Sequence, residues 1–179
     1  MPDFKTIFRT IIDKNKNNPI WDSGDFIEIK KISNTNVGAV GQEFIECICR
    51  ELQMTFETPV NLKSKKTARS PWDIKIDSVT FELKTATEDT GRKFQFNHIR
   101  YHRKYDAVLC LGVSPNNLYF NLWSKGDIST GKAGNLVSME KGANASYKLT
   151  KSKTDLYPIE LFEEKIKAFI ENLVRLNTP

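Results

Sequence analysis

Alternation of apolar and polar residues between Asp73 and Lys84 is the tightest constraint on how this chain folds. In Asp73-Ile74-Lys75-Ile76 and Val79-Thr80-Phe81-Glu82-Leu83-Lys84 the two kinds trade places at every step, as half-buried β-strands require. Asp77-Ser78 between them predicts a tight hairpin turn and therefore one register, in which Ile76 faces Val79, Ile74 faces Phe81 and Asp73 faces Glu82. Ile74, Ile76, Val79, Phe81 and Leu83 then share the core face, and Asp73, Glu82 and Lys84 share the other.

Opposed side chains in a hairpin have Cβ atoms about 5 Å apart. At that range two carboxylates repel by roughly 1 kcal/mol in water and about 3 kcal/mol at an effective dielectric near 20. A hard cation turns the repulsion into attraction, and Mg²⁺ takes one or two carboxylates, several waters and a substrate phosphate. Lys84 is placed to polarise an attacking water or to neutralise a phosphorane-like transition state. A charged hairpin with no chemical role offers the same spacing, with Glu82 paired to Lys84 or Lys75. The matched apolar register and the flanking sequence weigh for the chemical reading.

Pro71-Trp72-Asp73 followed by Glu82-Leu83-Lys84 resembles the motif of the PD-(D/E)XK nucleases, with Trp72 inserted before the acid. Within that superfamily the chain is similar to the small type II restriction endonucleases, over roughly residues 38 to 123. The resemblance implies a mixed central β-sheet flanked by helices, a restriction-endonuclease-like α/β/α sandwich. It implies that Asp73, Glu82 and the Leu83 carbonyl hold Mg²⁺, with Mn²⁺ as a substitute, and that Lys84 assists the attacking water. Double-stranded DNA is the implied substrate, cut by a homodimer to leave 5′-phosphate ends. A DNA methyltransferase is the expected functional counterpart, outside any complex. A structure-selective resolvase or repair endonuclease, and a non-catalytic nucleic-acid-binding protein on the same fold, are the alternatives.

The superfamily adds a glutamate from a preceding helix. Ser33 to Asn36 offers N-cap residues, and Phe44, Ile45, Ile48 and Leu52 form an apolar stripe over about 37 to 53. Glu43 and Glu46 both lie far from that stripe, so amphipathicity does not separate them. The resemblance favours Glu43, close to the glycine-containing helix start, with Glu46 as the alternate.

Length and composition bound the rest. A chain of 179 residues with 39% hydrophobic content is expected to form a single domain, with its core at about 38 to 123. No apolar run approaches the roughly 18 residues of a membrane span. The N-terminal MPDFKTIFRTIIDKNKNN lacks a signal peptide's continuous apolar stretch, so a cytoplasmic location is expected. Cys47, Cys49 and Cys110 fit neither a disulfide framework nor a zinc site and read as buried small hydrophobes. A formal charge of +5 favours a polyanionic partner. Walker A, GxGxxG, GxSxG and paired CxxC motifs are absent, which disfavours NTPase, Rossmann, serine-hydrolase and zinc-ribbon functions.

Residues 3 to 14 have the spacing of an amphipathic helix, and Phe26 to Ile32 alternates briefly. Thr85 to Lys93 reads as a polar loop, and Phe94 to Lys104 as a helix rich in cations and amides. Arg92, Lys93, Gln95, Asn97, Arg100, Arg103 and Lys104 are candidate DNA contacts there. His98 and His102 have the spacing of a zinc-binding helix but lack the glutamate of H-E-x-x-H and a third ligand. Tyr105 to Val113 is a continuous apolar run, expected of a strand covered on both sides, and Leu118 to Trp123 reads as the next strand. From 124 to 157 the chain turns Gly-, Ser-, Asn- and Lys-rich, a candidate recognition or dimerisation insert. Asn135, Asn144, Ser146, Lys148, Lys151 and Lys153 are its candidate base and phosphate contacts. Ile159 to Leu173 carries the stripe of a final helix, about 158 to 176.

Overall fold

A computed structural model describes residues 21–59, 70–142 and 145–177. The helix expected at 3 to 14 and the candidate contact Asn144 lie outside the described residues. The chain forms a mixed β-sheet flanked by helices, an α/β/α arrangement in its general form, with a second small sheet beside the helix on one face.

Strands β1 (Phe56–Glu57), β2 (Ile74–Ile76), β3 (Val79–Thr87), β5 (Ala107–Val113), β6 (Leu118–Ser124) and β9 (Tyr157–Pro158) make the main sheet, in that order. The hairpin has the register expected from its alternation: Ile74 pairs with Phe81 and Ile76 with Val79. β3 then runs parallel to β5 from Phe81↔Ala107 to Thr87↔Val113. That partner carries the strand through Thr85 to Thr87, which the sequence reading assigned to a loop. All seven residues of β5 are buried, as its unbroken apolar run requires.

Two helices cover the face formed by Val79, Phe81, Leu83, Ala107 and Leu109. Helix α1 (Asn34–Glu51) starts at Ser33, whose Oγ accepts the Asn36 amide at 3.3 Å, and buries Ile45 and Cys49. The helix later in the chain, Phe162–Asn177, buries Phe162, Ile166 and Ile170 on the same core. Gly41 of α1 passes directly over Thr85, where a Cβ would collide with the threonine side chain.

Val108 and Cys110 of β5 and Ala86 of β3 face the opposite way, against a three-stranded sheet. Its strands are β4 (Lys93–Ile99), β8 (Ser146–Ser152) and β7 (Leu136–Glu140), ordered β4-β8-β7. The short helix α2 (Lys125–Thr130) packs Ile128 into the same core. With α2 numbered, the C-terminal helix Phe162–Asn177 is α3.

β4 corrects the helix expected at 94 to 104. Phe94, Phe96 and Ile99 are buried while Gln95, Asn97 and His98 are exposed. The pattern is a strand's period of two with one extra residue, and the β4–β8 register shifts between Phe96 and Ile99. His98 sits in the bulge at φ +58°. The segment 124 to 157 includes helix α2 and strands β7 and β8, anchored by Ile128, Ala133 and Leu149. Ile27–Lys31, read as briefly alternating, is a 3-10 turn. Cys49 and Cys110 are buried as expected; Cys47 is exposed, because position 47 falls on the outer side of α1. Among the described residues no helix is long and apolar enough to cross a membrane.

The contact between Gly41 and Thr85 sets how closely α1 approaches β3. Gly41→Ala is expected to lower stability by about 1–3 kcal/mol through overpacking, and Thr85→Ala in the same chain should restore part of it. Urea denaturation of the wild type and the two variants measures both.

Candidate active site

The site begins where β2 gives out. The ladder ends at Ile74↔Phe81, and Asp73 departs from it. Its amide donates to the Phe81 carbonyl at 2.8 Å, and its Oδ2 accepts the Leu83 amide at 2.9 Å. A regular strand would have offered Leu83 a backbone carbonyl, and here a carboxylate takes that place. In an antiparallel pair the N–H and C=O of one residue face the same neighbour, so the Leu83 carbonyl points to this edge as well.

Glu82 faces the second sheet and is 0% exposed. Lys84 Nζ lies 2.7 Å from its Oε1, and the Arg100 amide donates to the carboxylate at 3.2–3.3 Å. A buried carboxylate without partners would cost several kcal/mol, so these contacts explain how the fold tolerates it. Lys84 is 14% exposed, with its amine committed to Glu82.

Both acids meet the same turn. Arg103 closes it through a backbone bond to Arg100, and its Nη1 stands 3.9 Å from Asp73 Oδ1. The turn is pinned from outside by Lys125, which donates to the Arg103 carbonyl and lies over the rings of Tyr101 and Tyr105. Asp73 and Glu82 therefore reach opposite ends of one turn, each beside a cation. Burial, reinforced by the neighbouring Glu82 charge, holds the Tyr105 phenol well above its ordinary range. Burial likewise raises the Cys110 thiol above its ordinary range, and that of Cys49 to about 12.

Helix α1 lies alongside, with a cleft on each side of the Asp73–Leu83 contact. The first, about 610 Å³, is lined by Asp73, Gln42, Glu43, Glu46 and Arg50. Gln42 Nε2 donates to Glu46 Oε1 at 2.8 Å and to the Asp73 carbonyl at 3.2 Å. Glu46 is thus tied to Asp73 through one side chain, whereas Glu43 faces solvent on the same cleft. The second cleft, about 390 Å³, is lined by Leu83, Lys84, Asn34, Gln95, Asn97 and His98, among others.

Several candidate contacts have other duties. Arg103 belongs to the acid site through its guanidinium and Arg100 through its backbone amide, rather than to a free basic helix. Ser146 is fully buried, with its Oγ 3.3 Å from His98 Nδ1. Lys151 stacks over Trp123 at 4.9 Å, and Lys153 pairs at 3.0 Å with the buried Glu88. Lys148 is half-buried, and Arg92, Lys93, Lys104 and Asn135 are exposed. Gln42 and the Arg100 amide were missed from sequence. Gln42 sits one turn before Glu46, a spacing that signals the pair; a backbone amide leaves no signal at all.

Among the described residues no group of three or more His, Cys, Asp or Glu converges as a metal cage. Asp73 and the Leu83 peptide lie at the sheet edge, while the Glu82 carboxylate is buried on Lys84 and the Arg100 amide. No family model matches the chain, and no curated protein matches it.

Lys84→Ala would leave Glu82 buried without its cation. It is expected to cost about 3–5 kcal/mol, and Glu82→Gln in the same chain should recover part of that loss, both read from urea midpoints. The raised tyrosine gives a pH dependence. Above the ordinary tyrosine pKa of 10.0 the unfolded chain loses a proton that the folded Tyr105 keeps. Stability from this group is therefore present below about pH 10 and falls as pH rises beyond it. Cys49 and Cys110 act with the same sign from about pH 9, so Tyr105→Phe should flatten part of the alkaline loss in urea midpoints taken across that range.

Proposed function

We propose that this protein is a Mg²⁺-dependent DNA endonuclease of the PD-(D/E)XK kind, cutting duplex DNA at a short specific sequence as type II restriction enzymes do. The observation that carries the reading is the meeting of Asp73 and Glu82 at one turn, with Lys84 on Glu82 and the Leu83 peptide at the same edge. On this reading the sheet and its helices are a restriction-endonuclease-like fold in which a small β-sheet occupies part of one layer.

Asp73, Glu82 and the Leu83 carbonyl would hold the ion. Glu46, tied to Asp73 through Gln42, is the better-placed helix acid, acting through water, and Glu43 the alternate. When bound, the ion would polarise the scissile phosphate and acidify a coordinated water. Lys84 provides an ammonium beside Glu82 that can turn to the attacking water or to the charge developing on phosphorus. Arg103 offsets the charge of Asp73 at the rim. Attack of water in line on phosphorus breaks the bond to the 3′ oxygen and leaves 5′-phosphate and 3′-hydroxyl ends. The clefts on either side of the Asp73–Leu83 contact give a strand a path along α1, and the charge of +5 favours a polyanion. One site per protomer in a twofold dimer would cut both strands of a palindrome.

A second reading has its own support. Glu82 is fully buried and already paired, which suits a nucleic-acid-binding protein without catalysis.

Incubation of the purified chain with plasmid and linear duplex DNA in Mg²⁺ separates them. Discrete fragments bearing 5′-phosphates are expected, lost on chelation and reduced by about 10²–10³-fold or more in Asp73→Ala and Lys84→Ala. DNA binding with no cleavage by the wild type would favour the second reading. Selective cutting of four-way junctions would move the assignment to a resolvase.

A further inference from the structure

The cleft beside Lys84 has a wall built by the bulge in β4. With Phe94, Phe96 and Ile99 anchored in the core, Gln95 and the consecutive pair Asn97 and His98 all line this cleft. A side chain on a strand held by buried aromatics is more rigidly aimed than one on a loop.

Gln95 is further restrained. Its Nε2 donates to Asp89 Oδ2 at 2.7 Å. The other oxygen of Asp89 accepts the Gly91 and Lys93 amides, each at 2.9 Å. Partial burial opposes ionisation of Asp89, but these hydrogen bonds outweigh it and hold the carboxyl below its ordinary range. Asp89 is therefore an acceptor only at neutral pH, and only the nitrogen end of a carboxamide can face it. The flip of Gln95 is settled by chemistry. What remains for the cleft is the carbonyl oxygen and one N–H.

An acceptor and a donor side by side match one base edge in the major groove. Adenine presents its N6 amino group as donor and N7 as acceptor. Guanine and thymine present carbonyl oxygens, which would oppose the Gln95 oxygen. Cytosine offers an amino group without the N7 acceptor. Leu83 and Lys84 line the same cleft, so a base read there lies close to the linkage at the acid site.

We propose that Gln95, positioned by Asp89, reads an adenine in the major groove beside the scissile linkage. This rests on the nuclease reading for the position of that base, while the contact itself concerns DNA binding and does not require cleavage.

The test is selection of duplex DNA with a randomised core by the full chain in EDTA, with sequencing of the bound pool, beside cleavage of the same library in Mg²⁺. The wild type is expected to select a site with a required adenine. Gln95→Ala should lose discrimination at that position alone, by roughly 5- to 150-fold. Gln95→Glu, which has no donor for Asp89 and is repelled by it, should lose the same preference. Asp89→Asn should weaken the same position by freeing the amide to turn. Gln95 is exposed, and unchanged urea midpoints would confirm that its variants fold. An unaltered selected sequence in both Gln95 variants, or binding by the wild type without sequence preference, would overturn the proposal. Cleavage that persists at unaltered sites in Gln95→Ala overturns it and leaves the nuclease reading standing. An adenine preference that responds to Gln95 in a wild type that does not cut supports it and removes the nuclease reading.

Discussion

A carboxylate with no access to water organises this protein. Glu82 projects from β3 towards the second sheet, and its charge is tolerated because Lys84 and the Arg100 amide meet it there. Those two partners come from different layers. Lys84 belongs to the main sheet, and Arg100 follows β4 of the small one. The buried charge thus fixes where β4 ends, where the turn to Arg103 lies, and which cation reaches Asp73. Breaking such a contact costs far more than a surface ion pair, so it acts as a locator between layers that apolar packing alone would leave free to slide.

Much of the main sheet was legible in the sequence because strict alternation admits one register. A slip of β2 by one residue would have turned Ile74 and Ile76 away from the face that Val79 and Phe81 share. The same logic located β5, whose apolar run requires cover on both sides, and helix α1, whose start is marked by Ser33. The pairing of Asp73 with Glu82 expected from that register does not form: the ladder stops at Ile74↔Phe81, and Asp73 meets β3 through its side chain at the Leu83 amide, which nothing in the sequence announces.

The failures share a physical cause. One extra residue at His98 turns the spacing of Phe94, Phe96 and Ile99 into something that mimics helical periodicity, so β4 read as a helix. Strands β7 and β8 carry few large apolar residues and so leave little strand signal; their cohesion comes from the pairing of β8 with β4 and with β7, and from Leu149. Basic residues were legible as charge but not as employment. Arg103, Lys151 and Lys153 serve an acid, a ring and a buried glutamate, partners distant in sequence.

The bulged strand carries one more consequence. β4 turns Gln95, Asn97 and His98 outward to the cleft and then, one residue past its end, hands the Arg100 amide to Glu82. Exchanging the whole strand for that of another protein would shift this amide and strand a charge in the interior. Variation at this wall is therefore confined to single outward positions, one at a time. Any lineage that altered what the cleft accepts would have travelled by point changes, with the backbone of the segment held constant by the acid behind it.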